Sequence, residues 1–255
     1  MPTPGTPAWV EVSSEDPAAS REFYARLLGW TYEVVLDPHH HGYTVARHGG
    51  EPVAGVFESA EGVPPGWLLH LHAADVEEVA ARVPELGGEV VAGPLEAPGA
   101  SRVLLTADPT GAVVGFRQVT GAAAATSRPG ALNWAELTTR DAGAADRFYG
   151  ALFGYEERQL GDGGAFDYKT WSKDGAEAVG RLRVGAGFPA GVPSHWMVYF
   201  GVDPGVGADA SAERAVALGG RVEVPPFDAP HGRTAVVRDP FGALFSLVDA
   251  GDRVG

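Results

Sequence analysis

Residues 8–30 read AWVEVSSEDPAASREFYARLLGW, and residues 133–155 read NWAELTTRDAGAADRFYGALFGY. An offset of 125 residues aligns the two stretches without a gap, so that Trp9 matches Trp134. Self-similarity at a fixed offset is the sequence signature of repeated structural units. The chain therefore contains two homologous halves.

Two further motifs recur in the later part of each half. Leu-Gly-Gly stands at 86–88 and again at 218–220, and Asp-Pro-x-Gly stands at 108–111 and again at 239–242. Between the halves lies a run of small residues that ends in Pro-Gly, which is typical of a linker. The predicted division is a first domain, a linker and a second domain, at residues 7–119, 120–130 and 131–250.

Each half begins with the pattern of a strand followed by a helix. Trp9 and Glu11 alternate with valines, which predicts a strand with two different faces. Asp16 is a good helix N-cap, Pro17 suits the first helical position, and Gly29 suits the end of the helix. Three strands are expected after this helix. The order of strand, helix and three strands then recurs, which predicts four such units in the chain.

Composition excludes several classes of protein. Nineteen Lys and Arg against 33 Asp and Glu give a net charge of −14, so nucleic acid and anionic membranes are not expected partners. The absence of cysteine excludes disulfides and thiolate metal sites. Neither a signal-peptide pattern at the N-terminus nor an apolar run of about 18 residues is present. We therefore expect a cytoplasmic protein.

The strand, the Asp-Pro-initiated helix with Phe-Tyr and Leu-Gly-Trp, and the later Leu-Gly-Gly and Asp-Pro-x-Gly motifs resemble the vicinal-oxygen-chelate superfamily. This superfamily includes glyoxalase I, bleomycin-resistance proteins and extradiol dioxygenases, and the chain is most similar to its two-domain actinobacterial glyoxalase-like members. The resemblance implies an α+β fold. Four βαβββ units would form two curved mixed sheets with helices on the outside, and each sheet would enclose a cavity.

In catalytic members of the superfamily a divalent metal lies in this cavity. The resemblance implies ligands on the first strand of each unit and a Glu on each last strand, where the metal polarises substrate oxygens. A divalent ion needs three or more oxygen or nitrogen donors from the protein. The motif spacing instead places poor ligands at these positions, which are Trp9, Leu68, Gly115, Trp134, Met197 and Ser246. We therefore expect neither a metal nor another cofactor.

Polar side chains nevertheless lie near these positions. Glu11 and Glu136 each stand two residues beyond a tryptophan and therefore share its face of the strand. His70 follows Leu68 by two residues, and Tyr199 is its counterpart in the second half. The candidate catalytic residues are Glu11, Glu136 and His70. The candidate ligand-binding residues are Trp9, Glu11, His70, Trp134, Glu136, Tyr199 and Ser246.

Each candidate also has a structural interpretation. The glutamates would meet an arginine or a backbone amide and close the sheet, and His70 and His72 would be half-buried strand residues. The tryptophans would be core residues rather than stacking platforms. His39-His40-His41 is interpreted as a solvated turn rather than a metal site.

Three functions remain open. The first is a metal-free binding protein of the bleomycin-resistance type, which holds an apolar or aromatic metabolite or drug for sequestration or presentation. The second is a lyase, isomerase or dioxygenase-type enzyme, with Glu11 or Glu136 as base and His70 or Tyr199 as acid, or with a displaced divalent metal. The third is an interaction protein with filled cavities.

The charge balance bears on the ligand and on the oligomeric state. We interpret Arg117, Arg181 and Arg183 as solvated strand faces, so that no arginine cluster is available for a strongly anionic ligand. The expected ligand is therefore neutral or cationic and partly aromatic. Two homologous domains in one chain can mimic a homodimer, so we expect a monomer with internal pseudo-twofold symmetry.

Overall fold

The computed structural model describes residues 2–35, 42–98, 101–119 and 127–249. The predicted triple-histidine turn, at 39–41, lies outside the described residues, as does most of the predicted linker. No helix in the described ranges is long and apolar enough to cross a membrane.

The first half of the chain contains two successive βαβββ units. Its elements are β1 (Pro7–Ser14), α1 (Pro17–Leu28), β2 (Thr31–Val34), β3 (Thr44–His48), β4 (Glu51–Glu58), β5 (Gly66–His72), α2 (Val76–Glu85), β6 (Glu89–Ala97), β7 (Ser101–Ala107) and β8 (Val113–Val119).

The second half repeats the same order. Its elements are β9 (Leu132–Thr139), α3 (Ala142–Phe153), β10 (Glu156–Leu160), β11 (Asp167–Lys173), β12 (Ala176–Arg183), β13 (His195–Gly201), α4 (Gly207–Ala217), β14 (Arg221–Ala229), β15 (Gly232–Arg238) and β16 (Leu244–Asp249). The four predicted units are therefore confirmed.

Each half forms one eight-stranded sheet. The strand order is β2-β3-β4-β1-β5-β8-β7-β6 in the first sheet and β10-β11-β12-β9-β13-β16-β15-β14 in the second. The first strand of each unit runs parallel to the last strand of the same unit, whereas the outer strands pair antiparallel. The predicted α+β class with two mixed sheets is confirmed.

The helix ends follow the local sequence. The Asp16 side chain accepts hydrogen bonds from two backbone amides in the first turn of α1, and Pro17 occupies the first helical position. Gly29 ends the helix with a φ of 74°, which is a left-handed conformation that glycine adopts at little cost. In α3, Asp141 caps the first turn and Gly154 terminates the helix in a left-handed conformation. These caps fix how each first strand leads into its helix.

The chain divides into two compact units, and each of them contains segments of both halves. The segments of the first unit are Met1–Trp9, Leu68–Ala123 and Ala135–Trp196. The segments of the second unit are Val10–Trp67, Ala124–Trp134 and Met197–Gly255. Each compact unit therefore combines one βαβββ repeat from each half.

In the first unit, a buried hydrogen-bond chain connects the two halves. The hydroxyl of Tyr149 on α3 donates to Oδ2 of Asp108 at 3.0 Å, and Nε1 of Trp196 donates to the same hydroxyl oxygen at 3.0 Å. Oδ1 of Asp108 meanwhile accepts from the amides of Thr110 and Ala112 and shapes the Asp-Pro-x-Gly turn. Asp108 therefore stabilises its own turn and also accepts a hydrogen bond from the other half of the chain.

The second unit contains the same arrangement. Tyr24 on α1 donates to Oδ2 of Asp239 at 2.9 Å, and Nε1 of Trp67 donates to Tyr24 at 3.1 Å. Burial raises the pKa of Tyr24 well above its ordinary value, so the phenol keeps its proton and acts as a donor. The Phe-Tyr motif of one half thus binds the Asp-Pro-x-Gly motif of the other.

Candidate functional site

The four polar positions on the first strands have a common environment. In every βαβββ repeat this residue lies beside a glycine or serine of the parallel last strand, and register neighbours in parallel strands share a face. The pairs are Glu11 with Gly55, His70 with Gly115, Glu136 with Gly180, and Tyr199 with Ser246.

Gly115 stands where the superfamily resemblance implies a metal-binding Glu. A Cβ atom built on Gly115 would overlap the imidazole ring of His70, so the ring occupies the space that any side chain at 115 needs. His70 is buried rather than half-buried, which corrects the sequence interpretation. In the first unit, therefore, the packing of His70 leaves no space for a carboxylate side chain at position 115.

Glu11 is held by a residue that the sequence analysis did not single out. The hydroxyl of Tyr43 on β3 donates to Oε2 of Glu11 at 2.8 Å. A Cβ atom on Gly55 would overlap this hydroxyl, so the glycine makes room for the phenol. The expected partner of the glutamate was an arginine or a backbone amide, and the structure gives it a phenol as a partner.

The second half repeats these three residue types. Tyr168, Glu136 and Gly180 follow Tyr43, Glu11 and Gly55 at the offset of 125 residues that relates the halves. Glu136 is 5% exposed, and Tyr168 is also buried. The constant offset is the signal that would have identified the tyrosines from the sequence.

Trp9 in the first unit stacks on a cation. The guanidinium carbon of Arg117 lies 5.4 Å from the centre of the Trp9 ring system, and Nη2 of Arg117 donates to the carbonyl of Pro98 at 2.7 Å. Arg117 is only 9% exposed. The prediction that this arginine forms a solvated strand face is therefore wrong.

His72 is the register partner of Arg117 and shares its face. It is 3% exposed, and burial together with the charge of Arg117 lowers its pKa to about 4, against a smaller opposing hydrogen bond to the backbone of Arg117. Among the described residues, its Nε2 atom has no hydrogen-bond partner. The imidazole is therefore neutral near pH 7, and a buried nitrogen remains available to a further group.

The corresponding face in the second unit is apolar. Trp134, Met197, Tyr199 and Val248 form one buried cluster. Around it lie the half-buried side chains of two further apolar residues, and the ring of His231 contacts Tyr199 edge-on at 4.7 Å. Two of the implied metal-ligand positions, Trp134 and Met197, thus belong to a hydrophobic cluster.

Ser246 adds one polar atom to this face. It lies beside Tyr199 in the register of β13 and β16 and is completely buried. Its hydroxyl has no hydrogen-bond partner among the residues that the structure describes. A buried hydroxyl is normally satisfied by protein, water or ligand, so this atom is an unsatisfied polar group in an apolar setting.

The donor set does not fit the divalent metal of the catalytic superfamily members. Within the described ranges, no three His, Asp or Glu side chains come together in a way that could hold a metal ion. Trp134 and Met197 offer packing rather than coordination, and His70 fills the space beside Gly115. No chemical step through a metal follows from these residues.

Another predicted solvated arginine is also buried. Arg181 is 1% exposed and donates to Asp146 and to Asp167, with Nη1 at 2.8 Å from the carboxylate of Asp167. Arg183, which is partly exposed, donates to the same carboxylate. These arginines are internally paired, which distinguishes them from Arg117.

A sequence profile of the glyoxalase-like domain family matches residues 9–115 and 134–248. The chain belongs to this family, and the resemblance to the vicinal-oxygen-chelate superfamily is confirmed. It is 36% identical to the anthracycline biosynthesis protein DauV of Streptomyces sp. (strain C5) over 263 residues, which covers 96% of this chain and 94% of that protein.

Solved structures share the fold at low sequence identity. The Mn(II)-bound glyoxalase from Novosphingobium aromaticivorans superposes with a TM-score of 0.67 and 17% identity, covering 100% of this chain and 85% of that chain. The 2,3-dioxygenase LapB from Pseudomonas sp. KL28 superposes with a TM-score of 0.63 and 15% identity, covering 97% and 93%. At these identities the likeness concerns the fold alone.

Proposed function

We propose that the protein is a binding protein for a small, partly aromatic molecule, which it sequesters or presents without a metal cofactor. The binding surfaces are the sheet faces that carry Trp9 and Trp134. The observation that carries this proposal is the replacement of coordinating groups by the cluster of Trp134, Met197, Tyr199 and Val248.

The chemistry of the two faces supports an aromatic ligand. Tryptophan and tyrosine rings on a sheet face offer stacking and edge-on contacts, each worth about 0.5–1.5 kcal/mol beyond the burial of apolar area. Ser246 and Glu11 supply a few polar anchors for orientation, as is usual in sites for small organic molecules. The relative DauV is named for the biosynthesis of anthracyclines, which are polycyclic aromatic compounds, and this name agrees with a planar ligand.

The test is calorimetric titration of tag-free protein with 2-naphthamide, a neutral planar probe. Because a leucine keeps apolar bulk but removes the ring, we expect Trp9→Leu and Trp134→Leu each to weaken binding about two- to tenfold at its own sheet. Phe188→Leu is the matched control, since Phe188 lies between β12 and β13 and stacks with Arg140 rather than lying on a strand of either sheet.

Two further measurements make the test decisive. Dialysis against EDTA should leave the affinity unchanged, and metal analysis should find no stoichiometric divalent ion. The proposal fails when neither 2-naphthamide nor the corresponding acid, 2-naphthoate, binds up to its solubility limit. It also fails when chelation abolishes binding and added Mn²⁺ or Zn²⁺ restores it.

A second candidate function rests on the hydrogen bond between Tyr43 and Glu11. A carboxylate oriented by a phenol can act as a general base, so the alternative is a lyase, isomerase or dioxygenase-type enzyme that uses Glu11 or Glu136 with His70 or Tyr199. Turnover of an aromatic substrate that Glu11→Gln or Glu136→Gln reduces at least a hundredfold, with probe binding retained, would favour this enzyme.

A further inference from the structure

Arg117 differs from Arg181, the other buried arginine of the first unit, because no carboxylate in the described ranges pairs with it. Among the described residues, its guanidinium donates only to the carbonyl of Pro98 and otherwise stacks on Trp9. Arg181, by contrast, is paired with two aspartates. A buried cation without a counter-ion is costly, and a guanidinium has five N–H donors, so most of its capacity for an anion is unused.

The neighbouring imidazole supplies a second unused group. His72 lies beside Arg117 in the parallel register of β5 and β8, and its buried Nε2 has no hydrogen-bond partner in the described part of the chain. A neutral imidazole that donates through its other nitrogen accepts a hydrogen bond at this atom. Arg117 and His72 therefore present a cationic donor and a neutral acceptor on one face, and the ring of Trp9 stacks on the guanidinium.

The fold itself does not require this pair. In the second half, the same register of parallel strands places Gly201 beside Val248, where the first half has His72 beside Arg117. Val248 packs in the apolar cluster around Trp134, which is the counterpart of Trp9. One half thus builds the sheet with two small or apolar residues at positions where the other half buries a cation and an imidazole.

From these observations we propose that Trp9, His72 and Arg117 form a subsite for the carboxylate of an aromatic acid. The guanidinium would bind the carboxylate, the tryptophan would lie along the aromatic ring, and His72 would accept from a hydroxyl group ortho to the acid. This inference rests on the proposed binding function and names its ligand class for the first sheet.

The net charge of −14 led to the expectation of a neutral or cationic ligand. At contact distance, the charge of Arg117 has a larger effect on a ligand than the net charge of the protein. At physiological ionic strength, exposed charges more than about 8–10 Å away are largely screened, whereas a buried guanidinium acts at full strength on a carboxylate that touches it. The remaining negative charge lowers the association rate of an anion more than its final affinity.

The experiment compares two probes of equal shape, 2-naphthoate and its neutral amide 2-naphthamide, by calorimetric titration. We expect the wild-type protein to bind the carboxylate at least about tenfold more tightly than the amide, since hydrogen bonds to charged groups exceed neutral ones. Arg117→Gln should remove this preference by weakening only the carboxylate. Arg221→Gln is the matched control, because it removes one exposed arginine from the outer strand β14.

A second pair of probes tests the imidazole. 3-Hydroxy-2-naphthoate should bind more tightly than 2-naphthoate to the wild-type protein, and His72→Phe should abolish this difference. Far-UV circular dichroism and thermal melting confirm that each variant is folded, and Arg117→Lys, which keeps the charge, should retain part of the preference for the acid.

The outcomes separate the two proposals. Equal affinities for 2-naphthoate and 2-naphthamide in the wild-type protein overturn the acid subsite and leave the binding function standing. The same holds when Arg117→Gln keeps the full preference for the acid. When neither probe binds the folded protein, both proposals fall together.

Discussion

Replacing His72 with glutamine should make the protein less sensitive to acid. The pKa of this buried imidazole is lowered to about 4 in the folded protein, while an unfolded chain restores it to about 6.5. Between about pH 4 and pH 6.5, His72 is protonated in the unfolded chain but remains neutral in the folded protein. The contribution of the neutral His72 to the free energy of unfolding is therefore complete above about pH 6.5 and is lost as the pH falls towards 4.

The magnitude follows from the size of this shift. One pKa unit corresponds to about 1.4 kcal/mol, so a change from roughly pH 7.5 to pH 5 costs up to about 2 kcal/mol at this single residue. Partial solvent screening reduces the figure to about 1–2 kcal/mol. The loss should be absent from His72→Gln, which has no group to titrate.

Urea unfolding at the two pH values measures this loss for wild-type protein and variant. The difference between them isolates His72 from every other titrating group. His48→Gln is the control, because it removes a histidine of the second unit and should keep the wild-type loss. A variant that loses as much stability on acidification as the wild-type protein would refute the reasoning.

Three other substitutions test the structure. Tyr24→Phe leaves the buried oxygen of Asp239 without its phenol donor and should lower the free energy of unfolding by about 2–3 kcal/mol, measured in urea; a loss below about 0.5 kcal/mol would contradict this account. Gly115→Ala forces the ring of His70 to move and should cost about 1–3 kcal/mol; an unchanged melting temperature would show that the ring has room. Arg181→Met removes the buried cation shared by Asp146 and Asp167, which keep Lys169 and Arg183 as partners, and should therefore cost about 1–3 kcal/mol in the same assay; a neutral effect would argue against a stabilising role of Arg181.

The repeat made the fold predictable from the sequence. Motifs at a fixed offset of 125 residues identified homologous halves, and the caps at Asp16 and Gly29 gave the helix ends to within a residue. These signals are local, because a cap or a glycine acts on its own turn of the chain. Local signals can be recognised in the sequence without any knowledge of tertiary contacts.

The pairing of the motifs could not be predicted in the same way. Nothing in the Asp-Pro-x-Gly motif indicates that its aspartate accepts from a tyrosine 215 positions away, as Asp239 does from Tyr24. The burial of the site residues could not be predicted for the same reason. Arg117 was expected to be solvated because arginine is usually exposed, and only the packing of Trp9 on it shows otherwise.

The assignment of individual site residues stays a prediction. The structure brings Trp134, Tyr199 and Ser246 to one face of the second sheet, and it buries Glu136 and His70. It also shows Tyr43 as a partner of Glu11, and it buries His72 and Arg117, which the sequence analysis interpreted as half-buried and solvated.

The exchange of tyrosine and aspartate between the halves has an evolutionary consequence. In each half the tyrosine and the aspartate bind the other half rather than each other, so two identical copies of one half could exchange these bonds and form a swapped homodimer. Gene fusion of such an ancestor would preserve every bond while releasing each copy from identity with the other. The contrast between Arg117 and Val248 illustrates such freedom, because one half buries a cation where the other half buries an apolar side chain.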